Sequence, residues 1–304
     1  MNIQFHLVGE SGVSQYAKEL RTIEQDILYP LNLSGDYFSI IHGESYSCFF
    51  SQMGKSRFIL VLDGQKLIGV MAAVWKNVSI NNQPCTALYL ADLKLAKPYR
   101  GKSVTQKLIW FALKKWLTDP ECRRWDFVFA AAMQRSGGGD VTYSFKKLHP
   151  GKLIKFSNCL DIYFTSAEDL LRLGDDSPML PPIEDSACLS LSDKEIIDNT
   201  GLKDFKLQST GEPWPLVHLS MPVKRWSEKF GSHLKECAEK MLGESAQKVL
   251  CFSLDSRLLS VKTWLNRYGI FHGAACNIHS CPNTLLGQSP LQQARFIHLD
   301  TSQI

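Results

Sequence analysis

The stretch LYLADLKLAKPYRGKSVTQKL, residues 88–108, decides the fold. Its first part, as far as Leu95, is largely apolar and predicts a strand. A polar turn, ProTyrArgGlyLys at 98–102, then interrupts the pattern, and apolar residues recur at helical spacing from Val104 onward. The sequence therefore predicts a strand that passes through a tight loop directly into an amphipathic helix.

The start of this helix has the properties of an anion site. The first turn of a helix presents N–H groups without intrahelical acceptors, and the positive end of the helix dipole lies there. Arg100 and Lys102 add two cationic side chains at the same place. A basic turn after a strand is also common on ordinary protein surfaces, so this pattern alone leaves a phosphate site and a solvated loop both open.

The flanking segments predict a mixed α+β fold. The elements expected before the linker are a helix at 12–30 ended by Pro30, a helical or irregular stretch at 36–54, strands at 57–62, 66–75 and 86–95, a helix at 104–116, and strands at 125–133 and 152–165. The strands at 57–62, 66–75 and 86–95 follow one another through short turns, which predicts an antiparallel meander.

A turn-rich segment divides the chain. We expect a first domain at 1–168, a linker at 169–186 and a second α+β domain at 187–304. The elements expected in the second domain are strands at 216–221, 248–254, 270–278 and 295–299 and helices at 227–242 and 256–268. Strands and helices alternate in a similar order in both domains, which suggests a structural repeat.

Length and composition agree with this organisation. A chain of 304 residues corresponds to about two domains of ~150 residues, and 44% hydrophobic with 21% charged residues is ordinary globular usage. The longest apolar stretches fall short of the ~18 residues of a membrane span, so no membrane association is expected. Nine scattered cysteines without a CxxC pair, and an N-terminus without a secretory signal pattern, indicate a reducing compartment, the cytoplasm.

LeuLysLeuAlaLysProTyrArgGlyLys, with the amphipathic helix after it, resembles the coenzyme-A-binding motif of the GNAT superfamily of acyltransferases. In that family, the signature Arg/Gln-x-x-Gly-x-Gly/Ala wraps the pyrophosphate of the cofactor. Arg100 takes the first position here, whereas Ser103 and Thr105 stand at the two glycine positions. The resemblance implies a mixed, mostly antiparallel sheet flanked by helices, which agrees with the order of elements above.

The resemblance also implies a site for acetyl-CoA or another acyl-CoA. The strand backbone at Leu93 and Leu95 would pair with the pantetheine arm. The residues that would hold the pyrophosphate are Arg100, Gly101, Lys102, Ser103, Val104 and Thr105. The side chains of Ser103 and Thr105 leave less space than glycine for phosphate to approach the backbone, although their two hydroxyls offer further hydrogen bonds. No such motif follows the strand at 216–221, so a GNAT-like second unit is expected to bind no coenzyme.

Catalysis in this family is direct attack of a substrate amine on the acyl thioester, which requires a base for the amine proton. Asp92 is the candidate base, since strand alternation places it on the opposite face from Leu93 and Leu95. A purely structural strand carboxylate is the competing interpretation. Glu44 and Asp140 are less constrained alternatives.

The same reaction requires an acid for the departing thiolate. The tyrosine that commonly supplies it in the family aligns with Phe145, so this residue type is missing at its usual place. Tyr143, two residues earlier, is the candidate that remains, with aromatic packing as the competing role.

One further cluster has metal-ligand residue types: His272, Cys276, His279 and Cys281. Strand alternation places the first two on one face and the last two on the other, which argues against one tetrahedral site. We therefore predict no metal.

The leading hypothesis is an acyltransferase that transfers an acetyl or other acyl group to an amine of a small molecule or peptide. The alternative is a GNAT-like regulatory module that binds acyl-CoA without transfer, because Ser103, Thr105 and Phe145 depart from the motif. An aminoacyl-tRNA-dependent transferase built from two such units ranks last, since a net charge of +4 offers no nucleic-acid track. A homo-oligomer is compatible with the sequence.

Overall fold

A computed structural model describes residues 2–31, 34–134, 153–226, 228–242, 248–284 and 287–304. Its strands are β1 (Ile3–Val8), β2 (Tyr29–Pro30), β3 (Tyr37–His42), β4 (Lys55–Asp63), β5 (Lys66–Ile80), β6 (Gln83–Leu95), β7 (Phe127–Met133), β8 (Lys155–Thr165), β9 (Ser186–Cys188), β10 (Ile196–Ile197), β11 (Lys203–Leu207), β12 (Leu216–Leu219), β13 (Val249–Asp255), β14 (His272–Pro282) and β15 (Phe296–His298). Its helices are α1 (Glu10–Ser14), α2 (Ala17–Gln25), α3 (Tyr46–Ser51), α4 (Val104–Thr118), α5 (Ala167–Leu171), α6 (Phe230–Leu242), α7 (Leu259–Arg267) and α8 (Pro290–Gln293).

One large sheet runs through both halves of the chain. Its main strand order is β1-β4-β5-β6-β7-β14-β8-β13-β12-β10, and β9 joins it at β5 and carries β15. A small second sheet has the order β11-β3-β2. Most neighbours are antiparallel, while β6–β7, β12–β13 and β9–β15 are parallel. The predicted α+β class with a mixed, mostly antiparallel sheet is confirmed.

The two halves of the chain repeat one unit and exchange its last strand. In the first half, β6 leads through α4 to its parallel neighbour β7, and in the second half β12 leads through α6 to β13. The strand next to β7 is β14 from the second half, and the strand next to β13 is β8 from the first. The strand pairing therefore reveals the structural repeat, whereas sequence identity between the two halves gave almost no support for it.

The N-terminal region differs from the expected single helix. The helical segment is split into α1 and α2, and α2 ends at Gln25. Pro30 lies in β2, which pairs with β3, so the chain has left the helix well before the proline. The stretch expected to be helical or irregular contains β3 and α3. The short sheet formed by long-range pairing overrides the local helical periodicity here.

The helix that follows the deciding strand packs as its spacing predicts. Val104 and Leu108 of α4 are buried against Ile59, Val61 and Met71 of the neighbouring strands. Burial of such side chains stabilises the fold by about 1.5–3 kcal/mol each, which holds the start of α4 beside the end of β6. Among the described helices, none combines the length and the apolar character needed to cross a membrane.

Candidate functional site

The parallel strands β6 and β7 separate towards their C-terminal ends. Their ladder covers only Ala87–Leu90 with Phe127–Ala130, although β6 continues to Leu95 and β7 to Met133. Within the described part of the chain, no strand pairs with residues 91–95 of β6 on the side of β7. The backbone edge of β6 is therefore open where the strand meets the loop before α4.

A β-bulge turns Asp92 to the side of the sheet opposite α4. Between two register pairs, β6 holds two residues, Asp92 and Leu93, where β5 holds only Met71. Asp92 takes the left-handed conformation, with φ 54°. Because of the extra residue, Leu90 and Leu93 both pack on the α4 side, three positions apart. The side chain of Asp92 points away from them into a polar cluster.

That cluster joins four elements through short hydrogen bonds. The Tyr46 hydroxyl on α3 donates to Asp92 Oδ2 over 2.5 Å, and Lys94 Nζ donates to Asp92 Oδ1 over 2.7 Å. Lys94 Nζ also lies 3.0 Å from Glu24 Oε1 on α2. His42 on β3 approaches the same Oε1 with Nδ1 at 2.5 Å and donates its backbone N–H to Oε2 over 3.1 Å. We call these five residues the acid–lysine cluster.

Electrostatics favour the Asp92 carboxylate and the Lys94 ammonium of the acid–lysine cluster. Burial alone disfavours the Asp92 carboxylate, but the charges of Lys94 and His42 and the hydrogen bonds that it accepts hold its pKa below the usual value. Burial also opposes the Lys94 ammonium, and the carboxylates of Asp92 and Glu24 more than compensate, so the pKa of Lys94 is raised. Burial first, and then the two carboxylates, raise the pKa of Tyr46 well above its usual value, so its hydroxyl stays a donor.

Only Asp92 in the ion-paired core of this cluster has appreciable exposure. Its side chain is 12% exposed, compared with 2% for Lys94 and 1% for Glu24. Of these three side chains, Asp92 is therefore the one with solvent contact, while its two partners stay behind it.

Sequence reasoning missed Glu24, His42, Tyr46 and Lys94. A signal was available for Glu24, because it is buried on one stripe of α2 with Leu20. A signal was also available for Lys94, because strand alternation places it on the same face as Asp92, two residues away. The approach of His42 and Tyr46 to Asp92 depends on long-range pairing.

Lys203 brings the second half of the chain to this site. Strand β11 pairs with β3 so that Lys203 lies opposite His42. The Lys203 side chain is buried, with Nζ 5.1 Å from the ring centroid of Phe49 and 5.3 Å from that of Phe205. Burial lowers the pKa of Lys203 to about 8, although Asp92 opposes this effect.

The loop between β6 and α4 has the conformation of a helix start with open backbone. Gly101 has φ 74°, and a Cβ placed there would meet no atom within 4 Å. Ser103 also lies in the left-handed region, at φ 59°, and its side chain makes no capping hydrogen bond. Arg100 Nε donates to the Leu95 carbonyl over 2.8 Å, which ties the loop to the end of β6. Lys102 is exposed, with Nζ 5.9 Å from the Tyr99 ring centroid.

The remaining predicted site residues fall in three places. Leu95 and Val104 are buried in the cluster under α4, and Leu93 packs at its edge. Thr105 is half-buried in the first turn of α4. Glu44 is exposed in the turn between β3 and α3. Asp140, Tyr143 and Phe145 lie outside the described residues.

The corresponding place in the second half is filled by the chain itself. β12 and β13 pair over Leu216–His218 and Val249–Cys251, and beyond this ladder nearby side chains bind the segment 296–301. The Oγ of Ser220, directly after β12, donates to Asp300 Oδ2 over 2.8 Å, and Asp255 Oδ2 of β13 accepts from the Ile297 N–H over 2.6 Å. The cavity that remains here is about 20 Å³, the space of one water molecule. The open strand edge thus belongs to β6.

Metal-ligand residue types converge at the acid–lysine cluster. The ligand atoms of Glu24, His42 and Asp92 lie within 4.8 Å of one another, and no group on β14 does so among the described residues. Lys94 Nζ contacts both carboxylates. An ammonium therefore already supplies the positive charge that these two acids require.

Lys76 on β5 is a second buried lysine, and its pKa is shifted in the opposite direction from that of Lys94. It is buried, with Gln303 Oε1 as its hydrogen-bond acceptor, and burial lowers its pKa from 10.5 to about 7 against an opposing effect of Asp300. The unfolded chain then binds more protons between about pH 7 and 10.5, so this group makes stability rise with pH in that window.

We expect Lys76→Met to raise the free energy of unfolding at pH 7 by about 1–3 kcal/mol, because a thioether loses no ionic hydration on burial. Gln303 Oε1 keeps its hydrogen bond from Ser190. Urea unfolding at pH 7 and pH 9 should also show a smaller rise of stability with pH in the variant. A rise of stability with pH as large as in the unaltered protein would contradict the lowered pKa of Lys76.

Known structures resemble the whole chain. The N-myristoyltransferase of Saccharomyces cerevisiae, solved with bound myristoyl-CoA, aligns with a TM-score of 0.51 at 8% identity over 97% of this chain and 84% of that one. A tandem GNAT protein from the clavulanic acid biosynthesis pathway aligns at 0.49 and 8% identity over 94% and 100% of the two chains. A GCN5-related N-acetyltransferase from Kribbella flavida aligns at 0.43 and 13% identity over 92% and 72%.

No protein-family model matches the chain, and no curated protein sequence does. The similarity to the N-myristoyltransferase lies in the fold, since 8% identity carries no more. It spans nearly the whole chain and agrees with the separated parallel strands and the loop at 96–103. The predicted resemblance is therefore confirmed at the level of the fold: the chain has the fold of the GNAT acyltransferases.

Proposed function

We propose that the protein is an acyltransferase that binds acetyl-CoA or another acyl-CoA at the open edge of β6 and acylates an amine. The observation that carries this proposal is the separation of β6 from β7 directly before a left-handed loop and a helix start. Parallel strands that part at their C-terminal ends leave backbone groups for an extended ligand, and helix N-termini favour phosphate.

The residues present fit such a ligand. Residues 91–95 offer backbone groups without a strand partner towards β7, Gly101 leaves open space, and Arg100 and Lys102 are exposed cations. The filled site of the second half supports one cofactor site per chain. We accordingly propose that the unit at 1–168 carries the chemistry, that 169–186 links it to the second unit, and that the unit at 187–304 completes the structure.

The bound acyl-CoA would supply a thioester carbonyl, at which a C–N bond to the amine forms as the C–S bond breaks. In this chain, Asp92 would take the amine proton, directly or through one water, because it is ionised and reachable. Tyr143 remains the proposed donor to the departing thiolate. The acceptor would be an amine of a small molecule or a peptide. All nine cysteines are free thiols, which supports a reducing compartment such as the cytoplasm.

Charge reversal at the loop tests the binding site. We expect Lys102→Glu to weaken acetyl-CoA binding by about tenfold or more in isothermal titration, because a carboxylate replaces a cation beside the phosphates. Lys224→Glu is the matched control, since Lys224 is exposed in the 3₁₀ turn Val223–Arg225 after β12 and the net charge changes equally. Equal weakening in both variants, or no binding by the unaltered protein, would overturn the proposal.

A second candidate function is acyl-CoA binding without transfer. It is favoured by Ser103, which holds φ 59° where glycine is the residue without strain. The two candidate functions are separated by measuring the release of free CoA across a panel of small and peptide amines, and by asking whether this release depends on the added amine. Such release supports the transferase, and its absence with intact binding supports the second candidate.

A further inference from the structure

Asp92 is held from both sides, in a way that leaves part of its carboxylate free. Oδ1 accepts from Lys94 and Oδ2 accepts from Tyr46, one hydrogen bond at each oxygen. A carboxylate offers about four acceptor positions, so about half of them stay available. The exposed part of the side chain is where a further donor can approach.

Glu24 is bound more completely and has almost no exposure. Its Oε1 contacts both Lys94 Nζ and His42 Nδ1, and its Oε2 accepts the His42 backbone N–H. With 1% of its side chain exposed, Glu24 has no route to a ligand. Its contacts instead keep Lys94 at Asp92, because the ammonium lies between two carboxylates.

We propose that Lys94, held by Glu24, is a positioning residue that fixes Asp92 as the ionised proton acceptor beside the open edge of β6. This inference rests on the proposed acyl transfer, in which the amine proton passes to the free side of the Asp92 carboxylate. Lys94 does not touch the substrate. It acts by orienting Asp92 in its bulge and by stabilising the negative charge against burial.

The groups that face Asp92 come from every element packed around it. They are Lys94 and Tyr89 on β6, Glu24 on α2, Tyr29 on β2, His42 on β3, Tyr46 on α3 and Lys203 on β11. Lys94 is the cation that contacts Asp92 directly, at 2.7 Å, whereas His42 Nδ1 lies 3.8 Å away. Removal of Lys94 therefore leaves burial and the nearby Glu24 to disfavour the Asp92 carboxylate.

The test compares Lys94→Met with Lys76→Met, two buried lysines changed in the same way. We expect Lys94→Met to move the acidic limb of the kcat/KM profile upward by about one pH unit or more, because an opposite charge at this distance lowers a carboxyl pKa by that amount. Lys76→Met should leave the limb in place. Tyr46→Phe, which removes a single hydroxyl, should shift the limb in the same direction by less and preserves the ion pairs.

The ionisation of Asp92 can also be read without activity. Isotope-edited infrared titration of the aspartate carboxyl bands, with Asp92→Asn to assign them, should show an upward shift of the Asp92 titration in both variants, larger in Lys94→Met than in Tyr46→Phe. If Asp92 titrates in both variants as it does in the unaltered protein, the positioning role is overturned, whatever the stability of the variants. If the unaltered protein transfers no acyl group but the bands shift as expected, the proposed function fails and the effect of Lys94 on Asp92 stands.

Discussion

Asp92→Asn should lower kcat for acyl transfer by about 10²-fold or more while the affinity for acetyl-CoA stays unchanged. A positioned general base contributes about 10²–10⁴ to rate, and asparagine cannot take the amine proton. The substitution is also mild in structure, because asparagine tolerates the left-handed conformation that this residue has at φ 54°. The cofactor would contact the backbone of β6 and the loop beyond it, whereas the Asp92 carboxylate accepts its hydrogen bonds from Tyr46 and Lys94.

The measurement is steady-state release of CoA with an amine acceptor, together with isothermal titration of acetyl-CoA. Glu44→Gln is the informative companion, since Glu44 is the competing carboxylate and is exposed near Tyr46. A large loss of kcat in Glu44→Gln with an active Asp92→Asn protein would transfer the role of base to Glu44. Loss of cofactor binding in Asp92→Asn would mean that Asp92 serves the structure of the site.

Phe296→Ala should lower the free energy of unfolding by about 3–5 kcal/mol, as is usual for truncation of a buried phenylalanine. Phe296 is 2% exposed and stacks on Trp226 with ring centroids 5.4 Å apart. It belongs to the segment that fills the space beyond the β12–β13 ladder. Removing its ring leaves a cavity that the surrounding strands cannot close, since they are held by their own hydrogen bonds.

Phe271→Ala is the control, because Phe271 is 48% exposed and its removal should cost less than about 0.5 kcal/mol. Denaturant unfolding measures both. Titration of Phe296→Ala with acetyl-CoA should give the same stoichiometry as the unaltered protein, since the stretch 220–229 after β12 contains no glycine. A second equivalent of bound acetyl-CoA would contradict the assignment of the cofactor site to β6.

The local signals of the sequence predicted the strand, loop and helix around residues 88–108. Alternating apolar residues, a proline in the turn and helical spacing after Val104 all act within a few residues of one another. The antiparallel meander of β4, β5 and β6 followed from the short turns between these consecutive strands. The helix predicted at 12–30 is present but split into α1 and α2, and it ends at Gln25 instead of Pro30. The end was wrong because β2 forms by pairing with β3, and local periodicity carries no information about that partner.

The sequence by itself determined that this chain forms an α+β fold with a basic helix start after a strand, and it singled out Asp92 as a carboxylate within that strand. Only the tertiary structure decided the surroundings of Asp92. The bulge turns its side chain towards Glu24 and Tyr46, and the pairing of β11 with β3 brings Lys203 from the second half. Contacts between residues so far apart in the chain depend on which strands pair and in which register, and neither is encoded in local periodicity.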